Sequence, residues 1–141
     1  IGMAFASPDK TIYAITGDGG LHISIQSLLL ISQYNLNIKI IVLNNNALGM
    51  ITQFQSLYFN GRMKGTTSQG GFINPDYKEI AIAYGLNYVA RNEESLSTIK
   101  EDLAIHNIFY EYQIDDLTTV SPKLEYNRPI NQPSPQINEN E

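Results

Sequence analysis

Short apolar runs alternate with amphipathic stretches along most of the chain. Thr11–Thr16 and Ile38–Leu43 are strand-length runs without interruption, the pattern typical of parallel strands covered on both faces. Between them, from Ile23 to Tyr34, apolar residues recur at helical spacing. A second helix is predicted from Leu48 to Tyr58. The first half of the chain therefore reads as a strand–helix–strand–helix unit.

The second half continues this alternation. Asn74-Pro75-Asp76 offers an N-cap with Pro at the first helical position, and that helix runs to about Tyr84, before Gly85. The remaining predicted elements are a strand at Leu86–Ala90, a helix at Glu93–His106 and a strand at Ile108–Ile114. Strands alternating with helices predict an α/β fold, a three-layer domain with a mainly parallel sheet and helices on both faces.

Three segments fall outside this alternation. Ile1–Ala6 reads as the end of an apolar helix, and we expect the chain to be a fragment of a larger protein. The segment Asn60–Phe72 holds four glycines and is predicted to be a mobile loop, either a lid that closes over a ligand or an exposed connector. From Ser121 onward the chain is rich in Pro and Asn, which predicts a domain over 1–120 and an extended tail over 121–141.

Composition narrows the class of protein. The chain is 43% hydrophobic and 16% charged, as in ordinary globular domains. A net charge of −5 with basic residues scattered singly argues against nucleic acid as a partner. No apolar run approaches the ~20 residues that span a bilayer, so no membrane partner is expected. The absence of cysteine removes thiolate metal sites and fits a cytoplasmic protein.

Polar residues follow both of the first two strands. Asp18 comes directly after the first strand and Asn45 after the second. Because parallel strands end at one edge of a sheet, where ligands bind in open α/β folds, these side chains should lie close together, in loops facing solvent. Their oxygens suit Mg²⁺, which completes its shell with phosphate oxygens and water. Gly17, Gly19 and Gly20 would let backbone approach a ligand, and amides at the start of the following helix could donate to an anion.

The scarcity of cations indicates how an anion would be held. Lys39 is the only Lys or Arg between Thr11 and Gly61, and it lies within the second strand, not at its end. The sequence lacks both the Gly-x-x-x-x-Gly-Lys of a triphosphate-binding loop and the Gly-x-Gly-x-x-Gly of a dinucleotide site, which disfavours a nicotinamide-dependent dehydrogenase. A diphosphate here would have to be neutralised by the metal.

Several of these residues have simpler interpretations that involve no ligand. Gly17-Asp18-Gly19 alone could be a strand-to-helix turn, and Asn46 is best read as a helix N-cap. His22 could contact a substrate or be a helix-start residue with a satisfied ring. His106 suits a helix C-terminus without any function. Six tyrosines are interpreted as core or interface packing, those at positions 58, 77, 84, 88, 110 and 112.

The pairing of these motifs resembles a known family. Gly17-Asp18-Gly19, a helix and then Asn44-Asn45 are similar to the cofactor-binding signature of thiamine-diphosphate (ThDP) enzymes. Within that family the chain is similar to the acetolactate synthase branch, over residues 1–120. Its further features here are Gln26, the run from Val42 to Met50, Gln53 and Ala83-Tyr84-Gly85-Leu86.

The resemblance implies roles for individual residues. Asp18, the Asn45 side chain and the Ala47 carbonyl would bind Mg²⁺. The residues expected to line the cofactor's diphosphate and thiazolium are these three with Gly17, Gly19, Gly20, Leu48, Gly49 and Met50. A carboxylate that many members carry after Gln26 is Ser27 here, which leaves substrate-side contacts open.

The resemblance also implies an activity for the whole enzyme. It would decarboxylate a 2-oxo acid such as pyruvate and transfer the two-carbon unit to an acceptor carbonyl. The activating glutamate would come from a pyrimidine-binding domain of a neighbouring subunit in a homo-oligomer, so this chain holds no catalytic residue and should be inactive alone. The alternatives are a 2-oxo acid decarboxylase of the same family and a non-catalytic subunit-association module.

Overall fold

The computed structural model describes residues 1–92, 105–116 and 118–135 of the chain. Its helices are α1 (Gly2–Ala6), α2 (Asp18–Ser24), α3 (Leu28–Gln33), α4 (Gly49–Tyr58) and α5 (Tyr77–Ala83), with a 3₁₀ turn at Ile25–Ser27. Its strands are β1 (Ile12–Gly17), β2 (Ile38–Asn44), β3 (Asn87–Arg91) and β4 (Ile108–Gln113). The strands form one sheet in the order β1-β2-β4-β3, and every neighbouring pair is parallel. The predicted α/β class with a parallel sheet is confirmed.

The register of the sheet brings the ends of β1 and β2 together. Ile12 pairs with Ile38 and Gly17 pairs with Leu43, so the strands run level to their carboxyl ends. The residues that follow them, Asp18 and Asn45, therefore leave the sheet at the same edge. This register produces the juxtaposition that the sequence predicts.

The sheet divides the core into two apolar clusters. Successive side chains of a strand point to opposite faces. Ile40 and Phe109 join helical residues in the larger cluster, whereas Ile41 and Tyr110 belong to the smaller one. Helices α1, α2, α3 and α5 contribute to the larger cluster through Ala4, Leu21, Leu28, Ile31, Tyr77 and Ala81. This packing anchors α2, whose first residue is Asp18.

Two predictions about the first unit are wrong. The helix expected from Ile23 begins five residues earlier, at Asp18, and a 3₁₀ turn divides it into two short helices. Strand β1 is not covered on both faces, because it is an edge strand of the described sheet and Ile15 is 67% exposed. An edge strand lacks the neighbour that would bury it, and a strand's apolar composition cannot report its position in the sheet.

The N-cap of α5 is Asp76, not Asn74. The Asp76 carboxylate accepts hydrogen bonds from the amides of Lys78 and Glu79, at 2.9 and 3.1 Å. The predicted cap at Asn74 is therefore wrong, because helix α5 begins only at Tyr77. Asn74 is left to contact other parts of the molecule. The helix ends before Gly85, whose φ of +74° favours glycine.

The glycine-rich segment 60–72 is tied to the domain by hydrogen bonds. The Leu48 amide donates to the Thr66 carbonyl over 2.8 Å, and the buried Thr66 hydroxyl donates to Gln55 on α4. Within the segment, the Gly65 amide donates to the Gly70 carbonyl. Its mobility and its role as a lid stay predictions.

The C-terminal residues that the structure describes lie along α4. Gln53 exchanges two hydrogen bonds with the backbone of Val120, at 2.9 and 3.3 Å. The Tyr126 ring lies 6.1 Å from those of Phe54 and Tyr58. The division into a domain over 1–120 and a tail over 121–141 stays a prediction.

Two further points concern the extent of the chain. Most of the helix predicted at Glu93–His106 falls on residues 93–104, outside the described residues. Over residues 1–92, 105–116 and 118–135, no helix has both the length and the apolar character needed to cross a bilayer.

Candidate functional site

A cleft of about 660 Å³ opens at the carboxyl ends of β1 and β2. All nine residues singled out from the sequence line it, namely Gly17, Asp18, Gly19, Gly20, Asn45, Ala47, Leu48, Gly49 and Met50. The other lining residues are Ile23, Leu43, Ile51, Ile114, Thr118, Thr119 and Val120. The structure thus brings the two predicted motifs to one cavity, with mainly apolar side chains around them.

Asp18 lies in the first turn of α2 and is only 3% exposed. Its Oδ1 accepts a hydrogen bond from the Gly19 amide and its Oδ2 accepts one from Asn74 Nδ2, both at 2.8 Å. The expectation of a loop residue facing solvent is wrong, because α2 begins directly after β1 and its packing buries the carboxylate. A carboxylate has about four lone-pair positions, so two stay available for a ligand.

The polar turn after β2 is held by its own side chains. Asn45 is buried, and its Oδ1 accepts a 3.3 Å hydrogen bond from the Ala47 amide. Asn46 has φ +53°, a left-handed conformation that Asn tolerates. It does not cap a helix as predicted, since α4 begins at Gly49 with Leu48 in the N-cap position. Both Asn45 and Ala47 line the cleft.

Two glycines permit close contact between the halves of the site. A Cβ on Gly19 would lie 2.5 Å from Leu48 Cδ2, so α2 and the turn before α4 touch at this point. A Cβ on Gly49 would lie 3.0 Å from Asn45 Nδ2. Gly19 and Gly49 therefore allow the elements that border the cleft to pack closely, whereas the sequence predicted only that Gly19 lets the backbone approach a ligand.

The donor set fits a hard cation. Asp18 supplies one carboxylate, Asn45 a carboxamide oxygen and Ala47 a carbonyl that accepts one hydrogen bond from the Gly49 amide at 3.0 Å. The described residues contain no group of three or more His, Cys, Asp or Glu that could hold a metal ion, so a cation in this cleft would be held by one carboxylate and neutral oxygens. An Mg²⁺ ion commonly uses one or two carboxylates and shares its shell with phosphate oxygens.

The charge balance of the cleft agrees with this fit. None of the residues lining it, within the part of the chain that the structure describes, is Lys, Arg or His. The Lys39 ammonium is fully buried elsewhere and donates to the Ile105 carbonyl over 2.6 Å. A bound diphosphate would therefore depend on a cation for neutralisation.

Asn74 is the main residue of the site that sequence reasoning missed. Its Nδ2 donates to Asp18 Oδ2 at 2.8 Å and to Asn44 Oδ1 at 3.0 Å. Its Oδ1 accepts from the Tyr77 hydroxyl at 3.1 Å and lies 3.4 Å from His22 Nε2. The His22 ring is also 3.3 Å from the Tyr77 hydroxyl and does not line the cleft. His22 thus has the satisfied ring of the simpler interpretation.

Tyr77 and Glu111 hold the polar groups behind the cleft. Burial raises the pKa of Tyr77 above its ordinary value, and the carboxylates of Asp18 and Glu111 raise it further. The Tyr77 hydroxyl therefore stays protonated and donates to Asn74. Glu111 on β4 accepts from Asn44 Nδ2 at 2.7 Å and from the Tyr88 hydroxyl at 2.6 Å. The two carboxylates and the amides between them form one connected network.

Residues 118–120 form a side of the cleft that the sequence did not reveal. The cleft is lined there by Thr118, Thr119 and Val120. The sequence predicted only that these residues end the domain over 1–120. Gln53 fixes Val120 there through the two hydrogen bonds described above. Gln53 is one of the residues that carry the family resemblance, but its partner Val120 is 67 residues away. No local sequence pattern predicts such a contact.

Comparison with known proteins identifies the kind of domain. Residues 1–109 match the family described as "Thiamine pyrophosphate enzyme, C-terminal TPP binding domain". The chain is 34% identical over 128 residues to the acetolactate synthase large subunit of Haemophilus influenzae, covering 86% of this chain and 22% of that protein. It is 36% identical over 95 residues to the large subunit of acetolactate synthase isozyme 1 of Escherichia coli, covering 67% and 16%.

A solved structure shares the fold. The thiamine diphosphate-dependent 4-hydroxybenzoylformate decarboxylase of Rhodococcus jostii RHA1 superposes with a TM-score of 0.68 at 26% identity. The superposition covers 82% of this chain and 22% of that one. The chain spans about a fifth of the length of the relatives it matches.

Proposed function

Because the chain belongs to the thiamine pyrophosphate enzyme family, as its C-terminal TPP-binding domain, we propose that its cleft binds the diphosphate of ThDP through Mg²⁺. The observation that carries the proposal is the assembly of Asp18, Asn45 and Ala47 at one cleft without a basic side chain among the described lining residues. These are the groups that bind a hard cation, and the cation is what an anionic ligand would need there.

The roles proposed for the polar residues follow from their positions. Asp18 and the Asn45 side chain would bind the metal through oxygen, with the Ala47 carbonyl as the third protein ligand. Gly17, Gly19 and Gly20 would line the diphosphate, since they expose backbone at the end of β1. The buried state of Asp18, at 3% exposure, supports this role because a low local dielectric strengthens its interaction with a cation.

The apolar side of the cleft would hold the organic part of the cofactor. Leu48, Gly49 and Met50 would lie against the thiazolium, and Ile51 and Ile114 extend the same surface. Bound ThDP supplies an electron sink for breaking the bond between a carboxylate and a carbonyl carbon. The residues of this chain anchor and orient it, and their side chains exclude water from it.

For the complete protein we propose an acetolactate synthase-like reaction. It would decarboxylate a 2-oxo acid such as pyruvate and transfer the two-carbon unit to an acceptor carbonyl. The proposal includes a pyrimidine-binding domain of a neighbouring subunit that supplies the activating glutamate, a homo-oligomer, and a cytoplasmic location. The similarity to acetolactate synthase large subunits supports it. The chain alone is then expected to bind cofactor and to be inactive.

Simple decarboxylation is the second candidate. The structural relative described above is a decarboxylase at 26% identity, and its chemistry shares the first half of the proposed reaction. The two candidates differ in whether an acceptor carbonyl is used. Supplying pyruvate alone to the complete protein and identifying the product separates them, since acetolactate requires transfer and acetaldehyde does not.

Cofactor titration tests the proposed function directly. The complete protein that contains this chain is titrated by calorimetry with ThDP plus Mg²⁺, with ThDP plus EDTA, and with NADH. Binding of ThDP only with Mg²⁺, and none of NADH, is the expected result. Equal ThDP affinity with EDTA would contradict the metal site. Binding of NADH alone would favour a dehydrogenase, and binding of neither would favour the association module.

A further inference from the structure

Asn74 links the two strand ends that form the site. Its single Nδ2 group donates to Asp18 Oδ2 after β1, and to Asn44 Oδ1 at the end of β2. The Asn46 Oδ1 lies 3.3 Å from the same nitrogen. One amide therefore connects the carboxylate on α2 to the asparagine turn, which are 26 residues or more apart in sequence.

The orientation of this amide is fixed by chemistry. An ionised carboxylate only accepts hydrogen bonds, so the nitrogen of Asn74 must face Asp18. The Asn74 oxygen then faces the Tyr77 hydroxyl, which donates to it over 3.1 Å. Tyr77 is 2% exposed and its ring packs on Phe109, so the donor is anchored in the core. The result is a chain of hydrogen bonds from Tyr77 through Asn74 to Asp18.

We propose that Asn74 is a positioning residue for the metal site, holding the Asp18 carboxylate in a fixed plane relative to the Asn44–Asn46 turn. The inference rests on the proposed function, because the site would be that of Mg²⁺. Asn74 does not line the cleft, so it acts through Asp18. Groups that orient a metal ligand in this way typically change metal affinity about 10–100-fold when removed.

The neighbouring helix cap separates this role from a merely structural one. Asp76 caps α5 with its own carboxylate, so Asn74 is not needed to begin the helix. Loss of an N-cap destabilises the helix that it begins. Asp76→Ala therefore destabilises the same segment without touching Asp18, and it serves as the matched control for Asn74→Ala.

The experiment measures Mg²⁺ affinity in the complete protein that contains this chain. Mg²⁺ is titrated by calorimetry at saturating ThDP, and thermal unfolding is recorded without cofactor. Asn74→Ala should raise the Kd for Mg²⁺ about 10–100-fold, whereas Asp76→Ala should lower the unfolding temperature and leave that Kd unchanged. Equal Kd values for Asn74→Ala and the unmodified protein would overturn the proposal.

Two further variants keep the test decisive. Tyr77→Phe removes the donor to Asn74 but keeps the ring, so a smaller rise in Kd is expected, and it should vanish when Asn74 is already Ala. Effects that simply add would overturn the link through Asn74, and if Asn74→Ala does not fold, an unchanged Kd in Tyr77→Phe would do so. Asp18→Ala distinguishes the two hypotheses: if it also leaves Mg²⁺ binding intact, the proposed function fails and not only the role of Asn74.

Discussion

Asn44 on β2 donates a 2.7 Å hydrogen bond to the Glu111 carboxylate on the neighbouring strand β4. The other oxygen of Glu111 accepts from the Tyr88 hydroxyl at 2.6 Å. Glu111 thereby fixes the nitrogen of the Asn44 carboxamide, and the oxygen of the same group accepts a hydrogen bond from the Asn46 amide at 3.0 Å. The Asn44–Asn46 turn at the cleft is thus fixed by Glu111, a carboxylate that does not line the cleft.

This network predicts a loss of stability at alkaline pH. Burial, and then the hydrogen bond to Glu111, raise the pKa of Tyr88, and the pKa of Tyr77 is raised as well. Above pH ~10 the unfolded chain releases these protons while the folded protein keeps them. The stabilisation is therefore full below pH ~10 and is lost as the pH rises.

The measurement is urea unfolding between pH 8 and about 11, the range that spans the ordinary tyrosine pKa. Tyr88→Phe should unfold more easily at pH 8, because Glu111 loses a donor, and should show a shallower decline above pH ~10. Tyr34→Phe, at an exposed tyrosine, is the control and should follow the unmodified protein. Identical slopes for Tyr88→Phe and the control would contradict the prediction.

Asp18 and Asn45 should differ in their effect on cofactor binding. Asp18 is the one charged side chain proposed as a metal ligand, so Asp18→Ala should abolish Mg²⁺-dependent ThDP binding, a loss greater than the roughly 10–100-fold typical of groups behind a ligand. Asn45→Ala removes a neutral oxygen and should weaken binding without abolishing it. Calorimetry measures both, with the exposed turn residue Asp9→Ala as control. Unchanged affinity in Asp18→Ala would refute the site.

The segment 60–72 should respond to ligand if it is a lid. Amide hydrogen exchange across Arg62–Gln69 should be fast without ligand and slower with ThDP and substrate on the complete protein. The amides of the central strand β2, which pairs with both β1 and β4, should exchange slowly in both states and are an internal reference. Exchange that does not change on saturation would make the segment a connector.

Gly70 should be intolerant of a side chain. A Cβ there would overlap the Met63 carbonyl oxygen and lie 3.1 Å from Thr67 Oγ1. Since the overlapped atom is backbone, the loop must shift, and Gly70→Ala should destabilise the protein by about 1–3 kcal/mol. Gly2→Ala is the control, because a Cβ there meets nothing within 4 Å. Equal denaturant midpoints for the two variants would contradict the packing described here.

The chain by itself should not turn over substrate. Mixed with pyruvate, ThDP and Mg²⁺, it should release no CO₂ above the rate without protein, because the proposed activating glutamate is supplied by another domain. A coupled assay for CO₂ and a colour test for acetolactate are sufficient. Acetolactate produced by this chain alone would show that the division of labour proposed above is wrong.

Much of the fold follows from local pattern. The apolar runs before Asp18 and Asn45 are strands, and their parallel register puts both residues at one edge, as predicted. That inference succeeds because strand direction, not detailed packing, decides where the ends of parallel strands meet. The nine residues selected from the sequence share one cleft for the same reason, although their roles in binding cofactor stay proposals.

The sequence could not decide which of several similar polar residues caps a helix and which contacts the site. Asn74 and Asp76 both suit an N-cap, and only the position of Asp18, 56 residues away, determines that Asn74 serves the site instead. Asn46 likewise suits a cap, yet the turn requires a left-handed residue there. The exposure of β1 depends on strand order, which composition does not encode.

The outer edge of β1 has a consequence for handling the domain. In the part of the chain that the structure describes, nothing pairs with that edge, and Tyr13 and Ile15 are 43% and 67% exposed beside it. A strand with open backbone groups and apolar neighbours is a template for another strand. The domain therefore has a packed core and one strand edge that can pair with another strand. Precipitation of the isolated chain would then reflect strand addition between folded molecules. A charged residue in place of Ile15 should reduce that precipitation.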